Sequence, residues 1–327
     1  MAKLTYLILG KEKPSSRKRV LDSVGYLRSA GHEVRVVKVP KDLPGCLALI
    51  PALRSSDIVI IQKKLFNAAQ LSLIRAFSKK LVFDFDDAVM FIEIERNEPV
   101  TGKFFSRFAN TAKKADAVIA GNESLAEYAR SAGAKTFILP TPVDTDFITP
   151  ANRQGGGKVV IGWMGTKGNL AHLKAVAPPV ARVIEICPQA VLRVVSNSYP
   201  ALDGFDFEYK EWNADEELAD LRSFDIGIMP LADNIWTRGK GGFKLLTYMA
   251  AGVASVASPV GINNEIIRHG ENGLLAGTED DWEKALFALV SKPELREKLG
   301  KAGRDTAVGE YSLSGYNRRL AEILAGI

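Results

Sequence analysis

Two stretches of this chain carry residue types at spacings that can do chemistry. The first is Asp84-Phe85-Asp86-Asp87. It ends an apolar run, Leu81 to Phe85, that reads as a strand, and open α/β sheets bind their ligands at strand C-termini. Carboxylates gathered there can hold a divalent ion through their oxygens, accept hydrogen bonds from hydroxyls, or cap a following helix. The second is Trp236 to Gly273, WTRGKGGFKLLTYMAAGVASVASPVGINNEIIRHGENG. It opens with a basic, glycine-rich loop, Arg238-Gly239-Lys240-Gly241-Gly242. An apolar helical run follows, Phe243 to Ala251, and stops at Gly252. A glycine-rich loop entering a helix presents backbone N–H groups and the positive end of the helix dipole, which suits phosphate. Arg238, Lys240 and Lys244 add positive charge there. The chemistry read from this stretch is a diphosphate cradle.

Weaker signals lie elsewhere. Met164-Gly165-Thr166-Lys167-Gly168-Asn169 follows a strand, Val159 to Trp163, and occupies the strand-to-helix turn where nucleotide-binding α/β folds put phosphates. Lys167 is its only nearby cation. The loop Gly10 to Ser16 carries Lys11, Lys13, Ser15 and Ser16, with Arg17 next, near a helix N-terminus. A solvated loop explains these residues as well as a substrate contact does. His172 has no partner apparent in the sequence and reads as structural.

The elements that must position these residues form two βαβ series. In the first, strands are expected at Leu4–Leu9, Glu33–Val39, 57–62, Leu81–Phe85, Ala117–Ala120 and Thr136–Leu139. Helices are expected at Arg17–Ala30, Leu71–Phe77, Phe104–Lys114 and Leu125–Ala132. A proline-bearing connector, Pro140 to Phe147, and a glycine run, Gln154 to Gly157, mark a boundary. In the second series strands fall at Val159–Trp163, Ala190–Val195, Phe207–Tyr209, Asp225–Met229 and Val253–Val256. Helices fall at Ala214–Ser223, Phe243–Ala251, Trp282–Val290, Pro293–Gly300 and Tyr311–Ile327. Strands alternating with helices imply parallel sheets.

Composition sets the frame. The 327 residues suit two domains. Hydrophobic content of 46% and charged content of 25% are those of a globular protein. No apolar run reaches the roughly 20 residues of a membrane span, and the N-terminal apolar run reads as a strand rather than a signal peptide. Cys46 and Cys187 are the only cysteines, which argues against a disulfide framework and suits a reducing cytoplasm. The formal net charge of +5 fits anionic ligands or an anionic membrane surface as well as nucleic acid. Lys63-Lys64, Lys79-Lys80, Lys103, Arg107 and Lys113-Lys114 could lean on such a membrane from its inner face. No aromatic-basic signature of a nucleic-acid module occurs.

The segment Trp236 to Gly273 resembles the donor-binding segment of GT-B glycosyltransferases, in particular glycosyltransferase family 4. The resemblance rests on Phe243, Lys244-Leu245-Leu246, Tyr248 to Gly252, Val256-Ala257-Ser258, Gly261, Glu265-Ile266-Ile267 and Gly270 to Gly273. Leu218 to Leu221, Phe224 to Ile228 and Pro230 extend it. The resemblance implies an α/β GT-B fold: two Rossmann-like βαβ domains with a central cleft. Residues 1–145 would be the acceptor-side domain and 146–310 the nucleotide-sugar domain, with the helix 311–327 packing back on the first. It implies a retaining, metal-independent transfer of a sugar from a UDP- or GDP-linked donor to a saccharide or lipid-linked hydroxyl. Such a transfer serves surface polysaccharide or glycolipid synthesis. No bound cofactor or metal is implied. Gly165, Thr166, Lys167, Arg238, Lys240, Gly241, Gly242 and Lys244 would hold the diphosphate, and Thr247 would lie near the ribose. Asp86 or Asp87 would fall where many members carry a histidine near the reacting sugar. Ser15, Ser16 and Arg17 would face the acceptor. The short Asp-x-Asp also matches the metal motif of GT-A enzymes, but the phosphate features far downstream favour GT-B. One departure stands out. Many members have two glutamates with seven residues between them, and those positions fall on Gly239 and Thr247. A binding subunit without turnover, or a nucleotide-sugar epimerase, are the competing readings.

Overall fold

The computed structural model describes residues 1–95, 98, 101–151 and 157–327. Most of the glycine run expected at the boundary, residues 154–156, lies outside them. The chain divides into two compact units. One comprises Met1–Pro142, Asn234–Gly241 and Leu313–Ile327, and the other Val143–Asp233 and Gly242–Ser312. The division differs from the sequence expectation at residues 143–145 and 311–312, which fall in the second unit, and at one internal segment. Asn234–Gly241 lies within 146–310, yet it belongs to the first unit.

The first unit is built on six parallel strands. They are β1 (Lys3–Ile8), β2 (Glu33–Lys38), β3 (Ile58–Gln62), β4 (Lys80–Phe85), β5 (Ala117–Ala120) and β6 (Thr136–Ile138), ordered β2-β1-β3-β4-β5-β6. The central strand β3, IVIIQ, is buried throughout, as a strand covered by helices on both faces must be. Its side chains alternate. Ile58 and Ile60 pack with Tyr316, Leu320, Ile323 and Leu324 of the last helix, Leu313–Ala325. Val59 and Ile61 join Phe83, Phe85, Phe108 and Trp236 on the other face. The order reverses between β1 and β3, so the chain segments leaving those strands diverge and open a crevice.

The second unit repeats the plan. Its strands are β7 (Val159–Gly165), β8 (Ala190–Ser196), β9 (Glu208–Glu211), β10 (Ile226–Met229), β11 (Ala254–Ala257) and β12 (Leu274–Leu275), ordered β12-β11-β10-β7-β8-β9. All pairings are parallel, and the order reverses between β7 and β10. Trp163 and Ile161 face one core, while Val160, Leu245 and Tyr248 lie in the other. The Tyr248 hydroxyl accepts a 2.9 Å hydrogen bond from the Met164 N–H and ties the helix Phe243–Ala250 to β7.

Several elements depart from the sequence reading, among them the helix Ala177–Ile186 and the strand β12, which it did not give. Residues 43–55, given no element, form two short helices, Leu43–Ala48 and Ile50–Ser55. The first is capped by Asp42, which accepts from Gly45 N–H at 2.9 Å. The helix expected to end at Gly300 runs from Pro293 to Glu310. Gly300 is a point of close approach: a Cβ there would lie 2.4 Å from the Gly252 carbonyl oxygen. Among the described residues no helix is long and apolar enough to cross a membrane.

Candidate active site

In the first unit, loops leaving β1, β3, β4 and β5 converge. The helix after β1 is continuous from Pro14 to Ser29, with a π-turn at Arg17–Leu21. A π-turn adds a residue to the helical ladder, and such turns recur at functional sites. This one carries Arg19, whose side chain is fully buried. Its guanidinium forks onto Asp84 at 2.5, 3.1 and 3.2 Å and donates to the Leu139 carbonyl at 2.8 Å. Tyr316 donates to the Arg19 carbonyl at 3.0 Å. Burial alone would lower the Arg19 pKa, but Asp84 and Tyr316 outweigh it and hold the cation. Asp84 is therefore an ion-pair partner inside the sheet, and both its oxygens are engaged by Arg19.

Asp86 and Asp87 lie past the end of β4. Neither caps a helix through its side chain: the Asp87 carbonyl accepts from Val89 N–H at 2.7 Å, and the next short helix starts from Ala88. Both carboxylates turn instead to Lys63, a residue the sequence reading placed only in a surface patch. The ammonium of Lys63 lies 3.2 Å from Asp86 Oδ1, pairs closely with Asp87 Oδ2 and donates to Ser15 Oγ at 2.9 Å. Thr141 Oγ1 donates to Asp86 Oδ2 at 3.4 Å and accepts from Arg19 at 3.3 Å. Burial raises both carboxyl pKa values. At Asp86, Lys63 and Arg19 win and hold it below its usual range. At Asp87, burial and the neighbouring Asp86 win, and it stays above. The Asp87 side chain is 32% exposed against 10% for Asp86, so Asp87 is the carboxylate that meets solvent.

The basic loop packs on this acidic segment. Asn122 caps the helix Glu123–Ser131 by accepting from Leu125 N–H at 2.9 Å. Its amide donates to the carbonyls of Arg238 and Lys240 at 3.3 and 3.1 Å. Trp236 is buried in the same core as Leu125. At Gly239 a Cβ would lie 2.6 Å from Ala88 Cβ and 2.9 Å from Ala88 N. A glutamate cannot occupy that position without moving the Asp87-Ala88 turn. Lys240 is half-buried and lowers the Asp87 pKa electrostatically, whereas the Arg238 side chain is exposed.

In the second unit the anchor is Lys244. Its ammonium sits 4.7 Å from the centroid of the buried Trp163 ring. An indole face attracts a cation through its quadrupole without neutralising it. A Cβ at Gly165 would lie 2.5 Å from Trp163 Cη2 and 3.1 Å from Lys244 Nζ. Gly165 thus leaves room for the lysine at the end of β7. Gly242 starts the helix Phe243–Ala250 at φ 65°, a left-handed backbone that favours glycine. Thr247 is buried, and its hydroxyl donates to the Lys244 carbonyl at 2.7 Å. Thr166 and Lys167 are exposed, and Asn197 accepts from the Lys167 N–H at 2.8 Å. His172 accepts from Ala232 N–H at 3.3 Å, a structural contact.

The residues assigned from sequence to one cradle are therefore divided. Arg238, Lys240 and Gly241 belong to the first unit, with Ser15, Asp86 and Asp87. Gly165, Thr166, Lys167, Gly242, Lys244 and Thr247 belong to the second. Ser16 is buried and donates to Gln62 Oε1 at 2.9 Å, and Arg17 is exposed.

Comparison with known proteins agrees with this architecture. The whole chain superposes on HepE of Anabaena, solved with UDP and glucose, with a TM-score of 0.75 at 15% identity and full coverage of both chains. Sucrose-phosphate synthase of Thermosynechococcus elongatus gives a TM-score of 0.75 at 13% identity, covering 100% of this chain and 99% of that one. The fold is GT-B. Residues 159–292 match the family described as Glycosyl transferases group 1. A Bacillus subtilis (strain 168) protein named as a glycosyltransferase, EpsD, is 41% identical over 69 residues, which span 20% of this chain and 18% of EpsD. The matched range lies in the second unit, apart from Asn234–Gly241.

Proposed function

We propose that this chain is a glycosyltransferase that moves a sugar from a nucleoside-diphosphate sugar, UDP- or GDP-linked, to an acceptor hydroxyl. The observation that carries the reading is Lys244, seated over Trp163 beside Gly165 at the end of β7, inside the segment that matches the family. In the transfer the bond from the anomeric carbon to the diphosphate breaks, and the leaving group gains negative charge. A fixed lysine and the amides of Gly165, Thr166 and Gly242 stabilise that charge as it develops, without a metal ion. Thr247 has no carboxylate, and its hydroxyl bonds to the backbone, so the ribose hydroxyls find their acceptor in another group. The Asp87 carboxylate accepts a hydrogen bond from the acceptor or the reacting sugar. Retention at the anomeric carbon and a role in surface polysaccharide or glycolipid synthesis complete the reading. The acceptor is a saccharide or a lipid-linked one, met by the enzyme at the cytoplasmic face of the membrane.

The test is nucleoside diphosphate release from UDP-, GDP-, ADP- and dTDP-sugars, with and without EDTA, for wild type and Lys244→Ala. Release from one donor, lost in the variant and indifferent to EDTA, is the expected result. Release abolished by EDTA would contradict the metal-free mechanism. Binding of a donor with no transfer to any acceptor would favour a binding subunit, a role that the absent glutamates at 239 and 247 would suit.

A further inference from the structure

Lys63 is the one non-glycine residue, among those described, with a left-handed backbone, φ 60°. Its N–H continues the ladder, donating to the Asp84 carbonyl at 2.8 Å, and then Lys64 N–H donates back to the Gln62 carbonyl at 2.8 Å. The chain closes a three-residue turn with a positive φ at its centre, a rare and strained geometry. A side chain bearing a Cβ resists this conformation. Such backbones persist where the surroundings fix them, and they cluster at sites of function. Here the turn delivers one ammonium to three groups at once: Ser15 Oγ, Asp86 Oδ1 and Asp87 Oδ2. The Lys63 side chain is 11% exposed, so its charge is directed inward.

We propose, resting on the transferase reading, that Lys63 is a positioning residue. It holds Asp86 as a buried anchor and grips one oxygen of Asp87, so that the other, Oδ1, is presented to a hydroxyl of the acceptor. The charged and titratable groups around the pair come from every neighbouring element. They are Lys63 after β3, Asp84 on β4, Arg19 from the helix after β1, Lys240 from the basic loop and Tyr316 from the last helix. Lys63 bridges both carboxylates. Without it they repel each other and swing apart, and the carboxyl pKa of Asp87 rises.

The experiment compares wild type with Lys63→Met, Lys63→Arg and Lys63→Gly. Lys63→Met should lower kcat about 30-fold or more, in line with the cost of misplacing a positioned group, while donor KM stays within about 3-fold. The acid limb of its pH–rate profile should move to higher pH, since lost attraction to the lysine favours the protonated carboxyl. Lys63→Arg should recover part of kcat. Lys63→Gly removes the charge but relieves the backbone, so it should be more stable than Lys63→Met and yet lose kcat as fully, which a role in folding alone would not give. Unchanged kcat and an unmoved acid limb in Lys63→Met would overturn the proposal. Titration of carbon-13-labelled aspartate carboxyls by NMR provides a readout that needs no turnover. An Asp87 signal that titrates higher in Lys63→Met supports the grip, and one that does not move overturns it. A wild type that binds no nucleotide sugar, with that titration shifted, would sink the transferase reading and leave the grip standing.

Discussion

Each unit sets a lysine near the C-terminal ends of its parallel strands, Lys63 in the turn after β3 and Lys244 on the helix Phe243–Ala250 beside the end of β7, and the two have different surroundings. Each sheet is parallel, reverses its order beside its first strand, and carries its functional side chains past the C-terminal strand ends. In the first unit the lysine, Lys63, is bridged by two carboxylates, and the nearby guanidinium of Arg19 is forked onto a third. The positive charge there serves to hold acids in place, and the group that reaches solvent is a carboxylate, Asp87. In the second unit the lysine, Lys244, rests on an indole. On the proposed function, the first strand end meets a hydroxyl and the second a phosphate.

The contrast can be broken at several points. The largest effect is expected at Arg19. Arg19→Met leaves the Asp84 carboxylate buried without its partner, and equilibrium denaturation should show a loss of about 3–5 kcal/mol. A loss below about 1 kcal/mol would mean that Asp84 is not held as a buried charge. Next is Lys244→Ala, which should lower nucleoside diphosphate release about 100-fold or more, as removal of a charge-stabilising donor does. Gly239→Glu restores a family side chain where the structure has no space for one. It should cost about 1–3 kcal/mol of stability and fail to raise activity. A gain in donor affinity would show that the Ala88 turn yields. The smallest effect is at Trp163. Trp163→Leu removes the ring face and should weaken nucleoside diphosphate binding about 3-fold to 10-fold, the scale of a partly buried cation–π contact. Trp163→Phe should restore most of it.

Much of this was legible in the sequence, and the failures have physical causes. Strand runs such as IVIIQ and AVIA are apolar and β-branched, and each heads a βαβ unit, so both parallel sheets could be read. The motif from Phe243 to Gly252 located Lys244, and the acidic run located Asp86 and Asp87. Lys63 was hidden because its role depends on a backbone turn, and no pattern of residue types announces a left-handed lysine. Instead it looked like half of a basic pair on the surface. Other members of that patch do face solvent. Lys79, Lys103, Lys113 and Lys114 are all exposed, although Lys79 bonds to Asp57 and Lys114 to Ser72. Gly239 was misread for the opposite reason. It read as one residue of a phosphate-binding glycine loop and as a missing glutamate, yet it is a contact point where Ala88 excludes any side chain. Gly300 ended a helix on paper because glycine lowers helix propensity, but close packing on the Gly252 carbonyl demands it within one.

The most direct test of the contrast is calorimetric binding of UDP and GDP to wild type, Lys244→Ala and Lys63→Met at one salt concentration. If the second unit's lysine serves the phosphates and the first unit's lysine serves a hydroxyl-binding carboxylate, Lys244→Ala should weaken binding about 10-fold or more, the effect of losing one charged hydrogen bond. Lys63→Met should stay within about 2-fold of wild type. The reverse pattern, with binding lost in Lys63→Met and kept in Lys244→Ala, would contradict the assignment of the phosphates to the end of β7.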